Sequence, residues 1–350
     1  MKIHEKYILR CIQVAKNGLG STFPNPMVGS VVVHDNEIIG EGFTSPFGGP
    51  HAEVNAINSV KNKALLSEAT LYVTLEPCSH HGKTPPCADL IIEHNIPHVV
   101  IGLLDPHIKV AGNGIKKLQN AGCQVVVNVL ENECRDHHKR FLTFHEQKRP
   151  FIILKWAETA DGFLAPEQSL REEEPTPYWI TNVQSRQLVH KWRSEEQAIL
   201  VGTHTVLKDN PKLNVRSWHG KSPTRIIIDR NLKVGSDFHV MDGSTQTIVL
   251  TQIEHSKRYV PGIEYEVIDF SKNVALQICE VLYRHNILSV IIEGGSKTLQ
   301  MFLDNDIWDE ARVFKGASRF GKGLQAPMIH SLPVLKKSIL TDTLFIYNNV

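Results

Sequence analysis

His51, Glu53, Cys78 and Cys87 are the residues whose types and spacing carry a definite chemistry. One neutral imidazole and two thiolates balance the charge of a zinc ion and leave a fourth tetrahedral position for water, the arrangement of a catalytic rather than a closed site. Glu53 lies two residues past the histidine, as in the H-x-E half of the zinc-dependent base-deaminase signature, where the glutamate shuttles protons and does not ligate. The other half of that signature is P-C-x-x-C. Here Pro77-Cys78 is followed by Cys87 nine positions on, so a loop of eight residues, Ser79 to Pro86, is spliced between the sulfurs. Either half alone is weak, since an H-x-E is commonly a solvated helix face; their order and conjunction make the pattern specific. One alternative stays open at this point: His80 and His81 could complete a four-ligand structural site with Cys78 and Cys87.

The elements that must position these groups can be read around them. Gly48-Gly49-Pro50 breaks the chain just before His51, so the spacing predicts a helix over 52–60 whose positive end favours thiolates nearby. The apolar run Leu71 to Leu75 predicts a strand that delivers Cys78, with a helix over 88–94 after it. Upstream, Ile3, Tyr7, Ile8, Cys11, Ile12 and Ala15 recur at helical spacing. Thr22 to Gly29 reads as a rigid loop in which Asn25, held between Pro24 and Pro26, is pre-oriented either toward loop backbone groups or toward a heterocycle. A strand over 30–33, a turn at Asp35-Asn36, strands at 98–102 and 125–129 and helices at 112–121 and 131–144 complete an α/β layer ending near Arg149-Pro150. In the last helix, the run His137 to Arg140 reads as a solvated face.

The second half begins again with a strand over 151–156, then a Pro- and Glu-rich excursion over 166–177 and a helix over 182–193. Strands at 198–202, 225–229, 247–251 and 288–293 and a helix over 274–285 repeat the alternation. The run Glu293-Gly294-Gly295-Ser296 opens onto a helix over 298–303, a geometry suited to a phosphate, and no G-x-G-x-x-G fingerprint accompanies it. A chain of 350 residues is too long for one ordinary core, so two domains are expected. Apolar residues at 41% and charged residues at 21% describe a globular chain, and a net charge of +1 gives no electrostatic footprint for nucleic acid. Six cysteines are too sparse for a disulfide framework, and neither a signal-peptide core nor a membrane-length apolar run is present, which points to the reducing cytoplasm.

The runs PNPMVG (24–29), GGPHAEVNAI (48–57), TLEPCSHHGKTPPC (74–87) and DPHIKVAGNGI (105–115) resemble the RibD family, the bifunctional deaminase/reductase of riboflavin biosynthesis. In the second half KWAETADG (155–162), HKWR (190–193), VGTHTVLKDNPKLNVR (201–216), TRIIID (224–229) and EGG (293–295) are similar to the same family's reductase. The resemblance implies a cytidine-deaminase-like α/β/α domain over 1–147 and a dihydrofolate-reductase-like α/β domain over 148–350, with zinc and NADPH as cofactors and a homo-oligomeric state. It implies two steps: hydrolytic deamination of 2,5-diamino-6-(5-phosphoribosylamino)pyrimidin-4-one, then reduction of the ribosyl group to ribityl. His51, Cys78 and Cys87 match the zinc ligands, Glu53 the proton shuttle, and Asn25, His80 and Lys83 substrate contacts, Lys83 at the phosphate. Ala157, Trp179, Thr205, Asp209, Gly295, Ser296, Thr298 and Met301 match cofactor contacts; Arg193, Leu213, Arg216 and Glu293 match substrate contacts, and Lys155 with Glu293 is expected at the ribose. Three positions depart from the family: Thr44 and Pro177 replace a substrate-contacting His and Ser, and Arg230 stands where Ser or Thr is common near the cofactor. The competing readings are a single-activity zinc nucleobase deaminase with a non-catalytic second domain, and a binding protein with a structural zinc.

Overall fold

The helical spacing near the N-terminus forms α1 (Ile3–Ala15), which buries Tyr7, Ile8, Cys11, Ile12, Val14 and Ala15. The computed structural model describes residues 2–79, 85–106, 112–167, 175, 178–254 and 261–349. They fall into two compact units, Met1–Lys148 and Arg149–Val350.

In the N-terminal unit α1 is followed by β1 (Gly29–His34), β2 (Glu37–Phe43), α2 (Ala52–Ser59), β3 (Thr70–Val73), α3 (Cys87–Glu93), β4 (His98–Ile101), α4 (Asn113–Asn120), β5 (Gln124–Val126), α5 (Glu131–His137) and α6 (Lys139–Gln147). The sheet runs β2-β1-β3-β4-β5, antiparallel at β2-β1 and β1-β3 and parallel beyond. Gly42 sets the height of α2 over β2: a Cβ there would stand 2.3 Å from the Ala56 nitrogen, so the helix lies directly on the strand backbone. The helix expected over 131–144 breaks at His138, and its His137-His138 pair is not a solvated face. His138 is 2% exposed, with Nε2 3.0 Å from the Thr74 hydroxyl, while His137 Nε2 donates to the Met27 carbonyl at 2.8 Å. Apolar side chains at Phe141, Leu142 and Phe144 turn this polar-looking segment inward.

The C-terminal unit contains β6 (Phe151–Glu158), β7 (Phe163–Pro166), α7 (Val183–Glu195), β8 (Ala198–Gly202), α8 (Thr203–Asp209), β9 (Thr224–Ile228), β10 (Thr247–Thr251), β11 (Ile263–Val267), α9 (Val274–Arg284), β12 (Ser289–Gly294), α10 (Ser296–Asp304), β13 (Glu310–Lys315), β14 (Gly323–Gln325), β15 (Leu335–Ile339) and β16 (Asp342–Asn348). Its main sheet has the order β11-β10-β9-β8-β12-β6-β13-β16-β15. It is parallel from β11 to β13 and antiparallel at β16 and β15. The central strands are buried on both faces, which is why they read as unbroken apolar runs such as Ile152-Ile153-Leu154 and Ile226-Ile227. After β8 the chain returns to β9 on one side, whereas after β12 it passes to β13 on the other, so the winding reverses between β8 and β12. In an open α/β sheet that reversal makes a crevice at the carboxyl ends of the strands, where ligands bind.

Candidate active sites

Two helix starts bring the metal-ligand set together. His51 precedes α2 in extended backbone, and Cys87 is the first residue of α3. His51 Nδ1 is 3.3 Å from Cys87 Sγ and 3.6 Å from Cys78 Sγ, and the three donor atoms lie within 4.8 Å of one another. The Cys87 amide donates to Cys78 Sγ at 3.3 Å, so the positive end of α3 faces the sulfur pair. A hydrogen bond from the Cys87 thiol, with His51 alongside, pulls the Cys78 pKa down to about 4 and keeps that sulfur a thiolate. One imidazole nitrogen with two sulfurs, one already ionised, is a donor set that fits zinc. Glu53 sits on the first turn of α2, 3% exposed, and burial followed by the Cys78 charge pushes its pKa up to about 7.

Cys78 is held from behind by a residue whose role its type and spacing do not signal. The buried Glu76 carboxylate accepts backbone N–H groups from Gly112 (2.9 Å), Gly114 (3.0 Å), Ile115 (3.3 Å) and Asp105 (3.4 Å). It thereby fastens the start of α4 against Pro77, where a Cβ on Gly114 would stand 2.1 Å from the Pro77 carbonyl oxygen. Asn25 is half-buried in a loop that His137 fixes through Met27. The Thr44 hydroxyl is engaged with the Val28 backbone amide at 3.1 Å. His80, His81 and Lys83 lie outside the described residues, as does Pro177.

In the C-terminal unit the crevice opens into a cleft of about 1550 Å³. Its wall includes Lys155, Ala157, Trp179, Arg193, Thr205, Asp209, Leu213, Arg216, Glu293, Gly295, Ser296 and Thr298. Met301 packs instead against the hydrophobic core. Trp179 is 54% exposed, with the Arg186 guanidinium 4.6 Å from its ring centre, so core packing does not account for it. Leu213 is buried and takes a left-handed backbone, φ 53°. The starts of α8 and α10 stand close together: a Cβ on Gly295 would lie 3.2 Å from the Thr205 hydroxyl, and one on Gly202 2.8 Å from that of Thr298.

At one end of the cleft Arg193 donates two hydrogen bonds to the Glu293 carboxylate, at 2.9 and 2.8 Å, and Lys155 Nζ lies 3.6 Å from it. Burial pushes the Glu293 pKa up, but Arg193 and then Lys155 override it and hold the group at about 2, fully ionised. Burial lowers the Lys155 pKa against the pull of Glu293. His190 is kept neutral, near 4, by burial and by Arg193 and Arg216, and its Nδ1 accepts the Arg216 amide at 3.4 Å. The wall carries eight Lys and Arg side chains against three carboxylates. Four of those cations, Arg186, Lys208, Lys212 and Lys297, were not expected from sequence, because a surface cation in a helix or loop has no signal of its own.

A three-donor metal site beside a buried glutamate, joined to a parallel-sheet unit with a basic cleft at its switch point, defines a zinc deaminase fused to a nucleotide-dependent reductase. Residues 1–103 match the cytidine and deoxycytidylate deaminase zinc-binding region, and residues 150–344 match the RibD C-terminal domain. The riboflavin biosynthesis protein RibD of Aquifex aeolicus is 39% identical over 97% of this chain and 95% of its own length, and that of Escherichia coli 33% over 95% and 92%. A diaminohydroxyphosphoribosylaminopyrimidine deaminase/5-amino-6-(5-phosphoribosylamino)uracil reductase from Thermotoga maritima superposes with a TM-score of 0.88 at 42% identity, covering 99% of both chains. The chain belongs to the RibD family of bifunctional riboflavin-biosynthesis enzymes. Its folds are those of a cytidine-deaminase-like domain and a dihydrofolate-reductase-like domain, which fit zinc and NADPH respectively.

Proposed function

We propose that the N-terminal unit, residues 1–147, converts 2,5-diamino-6-(5-phosphoribosylamino)pyrimidin-4-one to its deaminated product, and that residues 148–350 then reduce the ribosyl group of that product with NADPH. The observation that carries this reading is the pairing in one chain of a His-Cys-Cys donor set beside a buried Glu53 with a cleft rich in cations at a sheet switch point. Both proposed ligands of that cleft are phosphorylated, which is what its charge excess favours.

In the deamination, His51, Cys78 and Cys87 hold the zinc ion, which when bound supplies an activated water. Glu53 takes one proton of that water as the C2–O bond forms and delivers it to the ring nitrogen, then takes the second from the new C2 hydroxyl and passes it to the amine as the carbonyl forms and the C2–N bond breaks, releasing ammonia. A pKa near 7 suits a group that must accept and return a proton at neutral pH. Asn25, His80 and Lys83 orient the substrate, Lys83 at its phosphate.

In the reduction, Lys155 gives a proton to the ribose ring oxygen as the C1–oxygen bond breaks and the amino nitrogen lone pair closes to a cationic imine. Glu293, held ionised and aimed by Arg193, stabilises that cation. NADPH, when bound, supplies the hydride that C1 accepts. Ala157, Trp179, Thr205, Asp209, Gly295, Ser296 and Thr298 hold the cofactor, with Leu213 and Arg216 on the substrate side.

The substrate is a small molecule, and no helix among the described residues is long and apolar enough to cross a membrane. We assign the enzyme to the cytoplasm, where two ligating thiols stay reduced, as a homo-oligomer with no nucleic-acid or membrane partner. The test is NADPH oxidation coupled to ammonia release on addition of the diaminopyrimidine. Ammonia without NADPH consumption would leave only the single-activity deaminase; neither, in a zinc-loaded protein, would leave the binding protein.

A further inference from the structure

The loop that carries Asn25 is gripped at three consecutive residues by side chains from three different parts of the N-terminal unit. The Thr44 hydroxyl, just past β2, meets the Val28 amide at 3.1 Å, and the Thr74 hydroxyl, just past β3, meets the Gly29 amide at 3.2 Å. His137, at the end of α5, donates from Nε2 to the Met27 carbonyl at 2.8 Å across 110 positions of sequence. Val28 and Gly29 are held by the backbone as well, since their carbonyls accept the Thr44 and Thr74 amides at 3.0 and 3.1 Å. The stretch before them has no such support. Its backbone bonds stay inside the loop, from the Asn25 amide to the Thr22 carbonyl and from the Val28 amide to the Pro26 carbonyl. Among the described residues, the His137 bond is therefore the one hydrogen bond that ties residues 24–27 to the rest of the unit.

The Asn25 side chain itself is unspent. The residue is half-buried, and among the described residues its amide makes no hydrogen bond, so it is not occupied with loop backbone. A primary amide offers a donor and an acceptor side by side, which matches the edge of a pyrimidinone. Thr44 does not share that task, because its hydroxyl is committed to Val28.

The imidazole pair joins this loop to the strand that delivers Cys78. His138 stands edge-on to His137, ring centres 4.7 Å apart and planes at 76°, and its Nε2 lies 3.0 Å from the Thr74 hydroxyl, four residues before Cys78. Burial holds both rings below the usual histidine range and so neutral, with the His137 proton on the nitrogen that faces the carbonyl.

Resting on Asn25 as a substrate contact in the proposed deamination, we infer that His137 is a positioning residue for that step: through the Met27 carbonyl it sets the Asn25 amide in register with the strand that carries Cys78.

The test measures steady-state deamination of the diaminopyrimidine by the zinc-loaded full chain. His137→Phe keeps a ring without the donor, His137→Asn keeps a donor too short to reach, and His137→Gln returns an amide N–H near the place of Nε2. The Phe and Asn variants should raise KM about tenfold with kcat within about threefold of wild type and zinc content unchanged, and the Gln variant should recover a KM within about threefold. Combination with Asn25→Ala isolates the route: the double variant Asn25→Ala/His137→Phe should be no weaker than Asn25→Ala alone. Full additivity of the two changes would show His137 acting elsewhere and overturn the inference, as would an unchanged KM in folded His137→Phe. Loss of folding in both the Phe and Asn variants, seen by thermal melt, would make the imidazole an element of stability and overturn it too. An Asn25→Ala enzyme with wild-type KM would overturn the inference and leave the deaminase reading standing, whereas a zinc-loaded wild type that releases no ammonia would overturn both.

Discussion

The two candidate sites are built on opposite plans. In the N-terminal unit three donor atoms converge within 4.8 Å from two helix starts, and one buried carboxylate completes the chemistry. In the C-terminal unit the groups are spread around about 1550 Å³ at the ends of several parallel strands, and the charges act as a field as much as by contact. A concentrated site fails at single atoms, whereas a distributed one fails in parts, with binding and turnover separable. Glu53 shows the first case and the Gly295–Glu293 pair the second.

The comparison breaks most sharply at Glu53. Glu53→Gln should lower deamination by about 10²–10⁴-fold, the usual contribution of a positioned acid–base group, with zinc content unchanged by elemental analysis. Reduction of the already deaminated intermediate should continue; its loss in a folded, zinc-loaded variant would show that the two plans are not independent.

Next in size is Glu293→Gln, expected to cut turnover in the reduction roughly 10²-fold, as removal of a preorganised electrostatic group does, while NADPH affinity by fluorescence titration changes little. The same variant has a pH signature. With a folded pKa near 2 against an ordinary 4.5, ionised Glu293 contributes stability that is complete above pH 4.5 and lost as pH falls toward 2. Wild type should therefore lose stability over that window, and the glutamine variant should lack this component of the loss.

The smallest effect is expected at Gly295. Its nearest neighbour is the Thr205 hydroxyl, a side chain with some freedom to move, so Gly295→Val should weaken NADPH binding about tenfold rather than abolish it, with deamination near wild type. Unchanged affinity would remove Gly295, Ser296 and Thr298 from the cofactor site.

The same contrast governs what could be read from sequence. His51, Glu53, Cys78 and Cys87 were legible because metal chemistry restricts residue type and spacing, and the helix and strands that carry them were bounded by Gly, Pro and apolar runs. The Gly-rich turn and α10 were legible as a shape, but the cations of the cleft were not, since each is unremarkable in its own segment. β13 escaped because Glu310 and Arg312 interrupt its apolar pattern; both are 6% exposed, bonded to each other at 2.6 Å. The His137-His138 pair was misread for a related reason: flanking charges concealed two imidazoles that fasten β3 and the Pro24–Gly29 loop from inside.

The position of β6 in the sheet has a consequence for how the chain comes off the ribosome. Phe151 to Glu158 emerge just after the N-terminal unit is complete, but their partners are residues 289–292 on one side and 310–315 on the other. At about 5–20 residues per second, this apolar strand waits roughly 7–26 s with both edges open. Strands β8 to β11 pair with one another meanwhile, so the late step is the insertion of β6 between β12 and β13. A nascent chain stopped before residue 289 should therefore need a chaperone to stay in solution, whereas one stopped at residue 148 should remain soluble and bind zinc; ribosome-arrested chains of the two lengths, compared by sedimentation, would show whether the exposed edges carry that cost.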